Sequence, residues 1–267
     1  MSFSAGWLEL REPHDRQARN PAVMDAVADT LAGLPLVTIV DLACGTGSTF
    51  RALSRRIKAR QSWRLVDNDL SLLARTPQPS PPDIGVTTVP VDLARDLEPA
   101  LDGAVDLVTT SALLDLVSAD WLERLIVEAA ARRLPFYAAL SYDGRIELSP
   151  ADPGDGAIIA AVNSHQRTDK GFGPALGPAA ANVAIGRFEQ LGYAVVQGPA
   201  DWTFGTGDKE IQYETLSGWA TAARETGELP LETAIGWLSR RRDLVDAGRS
   251  SIRVGHVDFF ARPTALR

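Results

Sequence analysis

The sequence predicts an α/β fold: a doubly wound, mostly parallel sheet of seven strands with helices on both faces. Three observations predict it. From residue 35 to residue 141, short apolar runs rich in β-branched residues alternate with amphipathic stretches, which is the rhythm of βαβ units. The first three runs end on an aspartate: Asp41, Asp67 and Asp92. The first run is followed at once by a glycine-containing turn and a helical pattern.

Each element has its own signal. Pro21–Leu34 reads as a helix, and residues 1–34 as a helical cap before the sheet. Leu36 to Val40 is a continuous apolar run, suited to a strand buried on both faces. Phe50 to Ala59 places Phe50, Leu53 and Ile57 at helical spacing. Trp63–Val66, Ile84–Val91, Val105–Thr109 and Leu134–Ser141 are the next four strands, with a proline-rich loop (Pro77, Pro79, Pro81, Pro82) before Ile84. Between the last two, Ala119–Arg132 aligns Trp121, Leu122, Leu125, Ile126 and Ala129 on one helix face. Residues 143–178 hold no strand signal; they carry one helix near Gly156–Ser164 and a stretch, 169–178, too rich in glycine and proline for regular structure. Helices follow at Ala179–Leu191, Glu210–Thr226 and Leu231–Ala247, and strands at Tyr193–Val196 and Ser251–Ala261. With no linker and no internal repeat, residues 1–267 read as one domain, and 143–178 as an inserted, lid-like region.

Composition bounds the function. The 267 residues are 45% hydrophobic and 23% charged, an ordinary globular balance that excludes disordered and fibrous classes. No apolar run reaches the roughly 20 residues that cross a bilayer, and residues 1–20 lack the apolar core of a signal peptide. The single cysteine, Cys44, has no partner for a disulfide. The expectation is a cytoplasmic protein with no metal site and no membrane partner. The net charge of −7, from 34 acidic against 27 basic groups, opposes nucleic acid as a partner, which needs a basic face.

Ligands of open α/β sheets bind beyond the carboxyl ends of the strands. Asp41, Asp67, Asp92 and the stretch after Thr109 are all such ends. Gly45 and Gly47 let the backbone approach a ligand and expose N–H groups at a helix start. A dinucleotide-binding fingerprint would need a third glycine where Phe50 stands.

Asp41-Leu-Ala-Cys-Gly-Thr-Gly resembles motif I of the class I S-adenosylmethionine (SAM) dependent methyltransferases, with Ala43 where many members carry glycine. Asp67, in Leu65-Val66-Asp67-Asn68-Asp69, matches the family position that binds both ribose hydroxyls. Val91-Asp92-Leu93 matches the one that meets the adenine amino group, and Val105 to Ser111 resembles motif IV. His256-Val-Asp-Phe-Phe-Ala261 resembles the family's antiparallel last strand. The resemblance covers residues 36–141 and that last strand. It implies a class I methyltransferase-like fold, SAM as cofactor, and cofactor contacts from Asp41, Ala43, Cys44, Gly45, Gly47, Asp67, Asn68, Asp92, Leu93 and Thr110. The amino-acid tail of SAM wants an arginine, and the N-terminal segment offers Arg11, Arg16 and Arg19, with Arg16 and Arg19 ahead. Asp69 also suits the N-cap of the next helix.

The acceptor side is carried by fewer residues. His165, in the polar cluster 163–173, with Tyr142 after strand five and Asp115 after motif IV, are the candidate catalytic groups. His256 reads as a packed sheet residue, Trp219 and Trp237 as core, and Arg240-Arg241-Arg242 as a solvated helix face. Cys44 reads as a small buried residue, since a base methylation through cysteine needs a second thiol. No Asn/Asp-Pro-Pro-Tyr/Phe motif follows strand four; Thr110-Ser111-Ala112-Leu113 stands there. The reading is a methyltransferase for a small-molecule acceptor, with O- or N-methylation and oligomeric state open. The alternatives are an RNA or protein methyltransferase, a NAD-dependent oxidoreductase, and a SAM-binding subunit without catalysis.

Overall fold

The computed structural model describes residues 3–76 and 82–264. The chain opens with α1 (Ala5–Ala18), whose N-cap Ser4 hydroxyl accepts the Trp7 N–H at 3.1 Å. A tight corner at Arg19 leads to α2 (Pro21–Leu31), started by Asn20 as N-cap and Pro21 in the first turn. Val23, Met24, Val27 and Leu31 form its buried stripe.

The alternating part follows as expected: β1 (Leu36–Leu42), α3 (Ser48–Leu53), β2 (Arg60–Asp67), α4 (Leu70–Leu73), β3 (Ile84–Pro90), α5 (Leu97–Ala100), β4 (Leu107–Ser111), α6 (Ala119–Ala131) and β5 (Phe136–Ser149). The Pro77–Pro81 part of the expected proline-rich loop lies outside the described residues. The helix expected to reach Ala59 stops at Leu53. The Gln61 side chain takes over there, donating to the Ser54 and Ile57 carbonyls at 2.9 and 3.0 Å, so these groups need no further helical turn. The fourth strand begins two residues later than expected because Asp106 is used as a clamp: its Oδ2 accepts the Thr38 N–H at 2.7 Å.

The second half contains α7 (Asp155–His165), α8 (Ala180–Gln190), β6 (Tyr193–Pro199), β7 (Trp202–Phe204), α9 (Lys209–Thr226), α10 (Leu231–Asp246) and β8 (Ser251–Pro263). The described sheet has eight strands, ordered β3-β2-β1-β4-β5-β8-β6, with β7 also on β8. The first five are parallel, and β8 runs antiparallel to β5, β6 and β7. The order reverses between β1 and β4, which opens a crevice at their carboxyl ends.

Two expectations need correction. Residues 143–149 are not strandless: β5 continues through two register shifts and pairs Ile146–Ser149 with Ser251–Val254. Leu140, at φ +53°, and Gly144, at φ +90°, carry these irregularities, and such bulges hide the alternating pattern. Arg241 is not on a solvated face. It is fully buried, its Nε donates to Asp155 Oδ1 at 3.0 Å and its Nη1 to the Pro150 carbonyl at 2.7 Å. Trp237 donates to the same Asp155 oxygen.

The core lies on both faces of the sheet. One side packs α6 and α8 around Phe136, Phe188 and Phe259; the other packs α2 and α3 around Ile39, Trp63 and Phe260. A third cluster joins α7, α9 and α10 to the extension of β5 and to β7. Among the described residues no helix is long and apolar enough to cross a membrane.

Candidate active site

A cavity of about 230 Å³ lies over the carboxyl ends of β1, β2 and β4. Its centre is the turn Ala43-Cys44-Gly45-Thr46 after β1. Ala43, Gly45 and Gly47 all have positive φ (51, 55 and 85°), so the alanine accepts the left-handed conformation that glycine usually supplies. α1 packs over Gly45: a Cβ there would lie 3.1 Å from Leu8 Cδ1. The Gly45 N–H donates to Asp67 Oδ2 at 2.8 Å, and the Asp69 N–H donates to Asp67 Oδ1 at 2.9 Å. These two bonds fix the plane of the Asp67 carboxylate, and each oxygen keeps a lone pair for a ligand. Asp69 caps α4 as expected, accepting the Ser71 and Leu72 N–H groups. Asn68, Asp92 and Leu93 complete the far wall. Trp121 holds that wall: its Nε1 donates to the Leu93 carbonyl at 2.7 Å, and its ring meets Phe172 edge-on.

Thus Ala43, Cys44, Gly45, Asp67, Asn68, Asp92 and Leu93 share one cavity. The other expected contacts stand behind it. Asp41 is fully buried, its Oδ1 accepts the Thr109 hydroxyl at 2.8 Å, and its Oδ2 has no hydrogen-bond partner among the described residues. Burial lifts this carboxyl to about 7, against the Thr109 bond and the Arg19 charge. Thr110 is buried with its hydroxyl on the Leu42 carbonyl, and Gly47 turns the chain into α3. Cys44 is buried in the wall, and burial with the Asp41 and Asp67 charges pushes its thiol up, which leaves no thiolate for nucleophilic work.

The arginines are redistributed. Arg16 points away, 63% exposed and against Glu12. Arg19 is buried beneath the cavity floor, donating to Tyr137, Thr49 and Ser111, each at 3.3 Å. Thr49 and Ser111 line the cavity, so Arg19 positions its floor. The arginine that reaches the cavity is Arg11, whose Nε donates to both Asp15 oxygens at 3.0 and 3.2 Å. Its guanidinium lies 4.9 Å from the Trp202 ring centre, and its Nη groups make no hydrogen bond to a described residue.

A second cavity, of about 440 Å³, adjoins the first. Phe3, Arg11, Ala112 and Leu116 line both. His165, Tyr142 and Asp115, drawn from α7, β5 and the short 3-10 turn Leu114–Leu116, all line this second space. Asp115 is 5% exposed and its Oδ1 has no hydrogen-bond partner among the described residues. Burial lifts its carboxyl to about 6, against backbone N–H groups and the Arg11 charge. Tyr142 donates to Asn163 Oδ1 at 2.8 Å, and burial pushes its hydroxyl up. His165 is tied to Glu225 at 2.9 Å and to Lys170 at 3.3 Å. The same segment bridges both spaces, since Lys170, Gly171 and Phe172 line the first cavity.

Sequence reasoning passed over part of this wall. His256 is packed in β8 as expected, 5% exposed with its ring 4.8 Å from that of Trp202, and it also lines the second cavity, with Nδ1 on the Val254 carbonyl at 3.0 Å. Burial and the Arg11 charge lower its pKa to about 4, so the ring is neutral and Nε2 is an acceptor. Trp7, Trp202, Trp219 and Glu214 are also here. Their convergence depends on how α1, α9 and β7 pack, for which the sequence carries no local signal.

The strand order, the reversed last hairpin and the loop site at the switch point define a class I methyltransferase-like fold. Among solved structures, a cyclopropane-fatty-acyl-phospholipid synthase-like protein from Lactobacillus casei is similar at 14% identity, over 94% of this chain and 99% of that one, with a TM-score of 0.51. The cyclopropane synthase MmaA2 from Mycobacterium tuberculosis is 12% identical over 90% and 83% of the two chains, with a TM-score of 0.46. The mycolic acid cyclopropane synthase CmaA1, solved in complex with SAH and CTAB, gives 12%, 90%, 83% and 0.47. No family model and no curated protein matches the chain.

Proposed function

We propose that the protein is a SAM-dependent methyltransferase acting on a small-molecule acceptor. The observation that carries the reading is the unit made by the Gly45 turn and Asp67, with Asp92 on the opposite wall of one cavity. A carboxylate held by two backbone donors suits a pair of vicinal ribose hydroxyls, and it repels a phosphate. Asp92 and Leu93 would meet the adenine edge and face. Arg11, with Nη groups unclaimed by any described residue, would hold the carboxylate of the amino-acid tail as a fork. Asp41, Gly47, Thr110 and Arg19 support the loops that make these contacts, and Arg16 takes no part.

When bound, SAM supplies an electrophilic methyl group, and catalysis is chiefly the alignment of acceptor and methyl. The methyl would face Ala112 and Leu116, where the two cavities meet. The second cavity then receives the acceptor, with Asp115 as proton acceptor and Tyr142 and His165 positioning the wall. The lid-like insert is the part of residues 143–178 that follows β5, from Pro150 on, over one domain that spans the chain. Phe50 counts against a NAD-dependent oxidoreductase: it stands at the third-glycine position, buried edge-on against Trp63.

Thermal melting with SAM, S-adenosylhomocysteine (SAH) and NAD tests the reading. A ligand at 100 times its Kd adds about 2.7 kcal/mol, so either adenosyl ligand is expected to raise Tm by roughly 5 °C or more. A rise with NAD alone would overturn it.

A further inference from the structure

The charge of the second cavity is mainly acidic on its acceptor wall: the Asp115 carboxylate, with one oxygen unpartnered among the described residues and the residue 95% out of solvent, the Glu214 carboxylate near the rim, and the lone pair on His256 Nε2. Ser4, Gln166 and Thr215 add neutral groups that can donate or accept. Glu214 has no ion pair or hydrogen bond to a described residue. The cationic wall residue, Arg11, is paired through Nε with Asp15, its Nη groups are committed by the proposed function to the carboxylate of the cofactor tail, and His165 faces Glu225. The rest is apolar and aromatic, with Trp7, Trp202, Trp219 and Tyr142 in the wall. A carboxylate or phosphate brought here would meet like charges, and a neutral hydroxyl would satisfy few of these acceptors. A cation with N–H donors on an apolar body satisfies all of them, and the aromatic faces add attraction.

We propose that the second cavity takes a primary or secondary amine, admitted as its ammonium form on an apolar or aromatic body, and that this nitrogen receives the methyl group. The proposal rests on the cofactor reading above. In the reaction, the ammonium first gives one N–H proton to the Asp115 carboxylate. The freed nitrogen lone pair forms the new N–C bond as the methyl–sulfur bond breaks, and its electron pair stays on sulfur. The positive charge passes from sulfur to the methylated nitrogen, and the proton leaves later from Asp115.

Calorimetric titration of the SAH-loaded protein tests it, using matched sets of an amine, an alcohol and a carboxylate on phenylethyl, indolylethyl and cyclohexylethyl bodies. At about pH 7.5 the amines are charged. The amine of at least one set is expected to bind about tenfold tighter than its alcohol, with the carboxylate weakest. Glu214→Gln, at an exposed position, should reduce that margin about threefold with SAH affinity unchanged, and Asp115→Asn should reduce it further. Alcohols or carboxylates binding as well as amines, or no amine binding to SAH-loaded protein, would overturn the proposal. Failure of SAH itself to bind would instead overturn the cofactor reading, so the two failures are distinct.

Discussion

The backbone N–H of Gly45 donates to Asp67 Oδ2 at 2.8 Å, making the turn after β1 and the acid at the end of β2 a single ligand-facing unit. The turn can approach Asp67 because residue 45 has φ +55° and no side chain under Leu8. Gly45→Ala should therefore cost about 1–2 kcal/mol from the left-handed backbone, seen as a drop of several degrees in Tm. SAH affinity should fall about tenfold, because the added methyl enters the cavity wall. An unchanged SAH titration would show that the turn is not at the ligand.

Arg11 and Arg16 lie on the same helix but differ in placement. Arg11 lines both cavities, whereas Arg16 is largely exposed. Charge-assisted hydrogen bonds contribute about 1.5–3 kcal/mol, so Arg11→Gln should weaken SAM and SAH roughly 10- to 100-fold. Arg16→Gln should leave both constants unchanged in the same calorimetric experiment.

In the proposed reaction Asp115 would accept a proton only when ionised, and burial has lifted its carboxyl to about 6. Activity in kcat/KM should thus fall as pH drops through about 6, and Asp115→Asn should abolish that limb along with most of the rate. Arg11, His165, His256 and Glu214 share the cavity. The assignment is checked by the persistence of the limb in Glu214→Gln and His165→Gln.

Asp41 offers a stability test with a definite sign. Its folded carboxyl sits near 7, above the unfolded value, so the fold prefers the protonated form. That preference stabilises the free protein fully below about pH 4 and is lost as pH rises through about 7. Asp41→Asn keeps an oxygen for the Thr109 hydroxyl and removes the titration. The variant's melting temperature should exceed that of the parent by a margin that grows between about pH 4 and 7 and levels off above that. A margin independent of pH would contradict the burial argument.

Much of this was legible in local sequence. Apolar runs ending on Asp41 and Asp67 located β1 and β2, and the acid–glycine spacing located the first cavity. Periodicity found the buried stripe of α6. What stayed hidden depends on contacts between distant segments. The buried groups of α1 are Arg11 and Asp15, so apolar spacing gave no sign of its docking, and Arg11 looked no better than Arg16. Arg241 sits within a run of three arginines whose middle member alone is buried by Asp155. The second cavity joins α1, β5, α7, α9, β7 and β8, and its histidine and tryptophans gain meaning only once those elements meet. Asp115, Tyr142 and His165 are nonetheless legible from their places after motif IV and after the apolar run of the fifth strand, and the structure brings all three to that cavity.

The central claim is that Asp67 holds an adenosyl ligand. Its most direct test is calorimetric titration of SAH into the protein and into Asp67→Asn, with NAD as the control ligand. The account predicts binding on the order of micromolar or tighter for the parent, at least tenfold weaker binding for the variant, and no heat from NAD. Equal SAH affinity in both proteins, or binding of NAD alone, would contradict it.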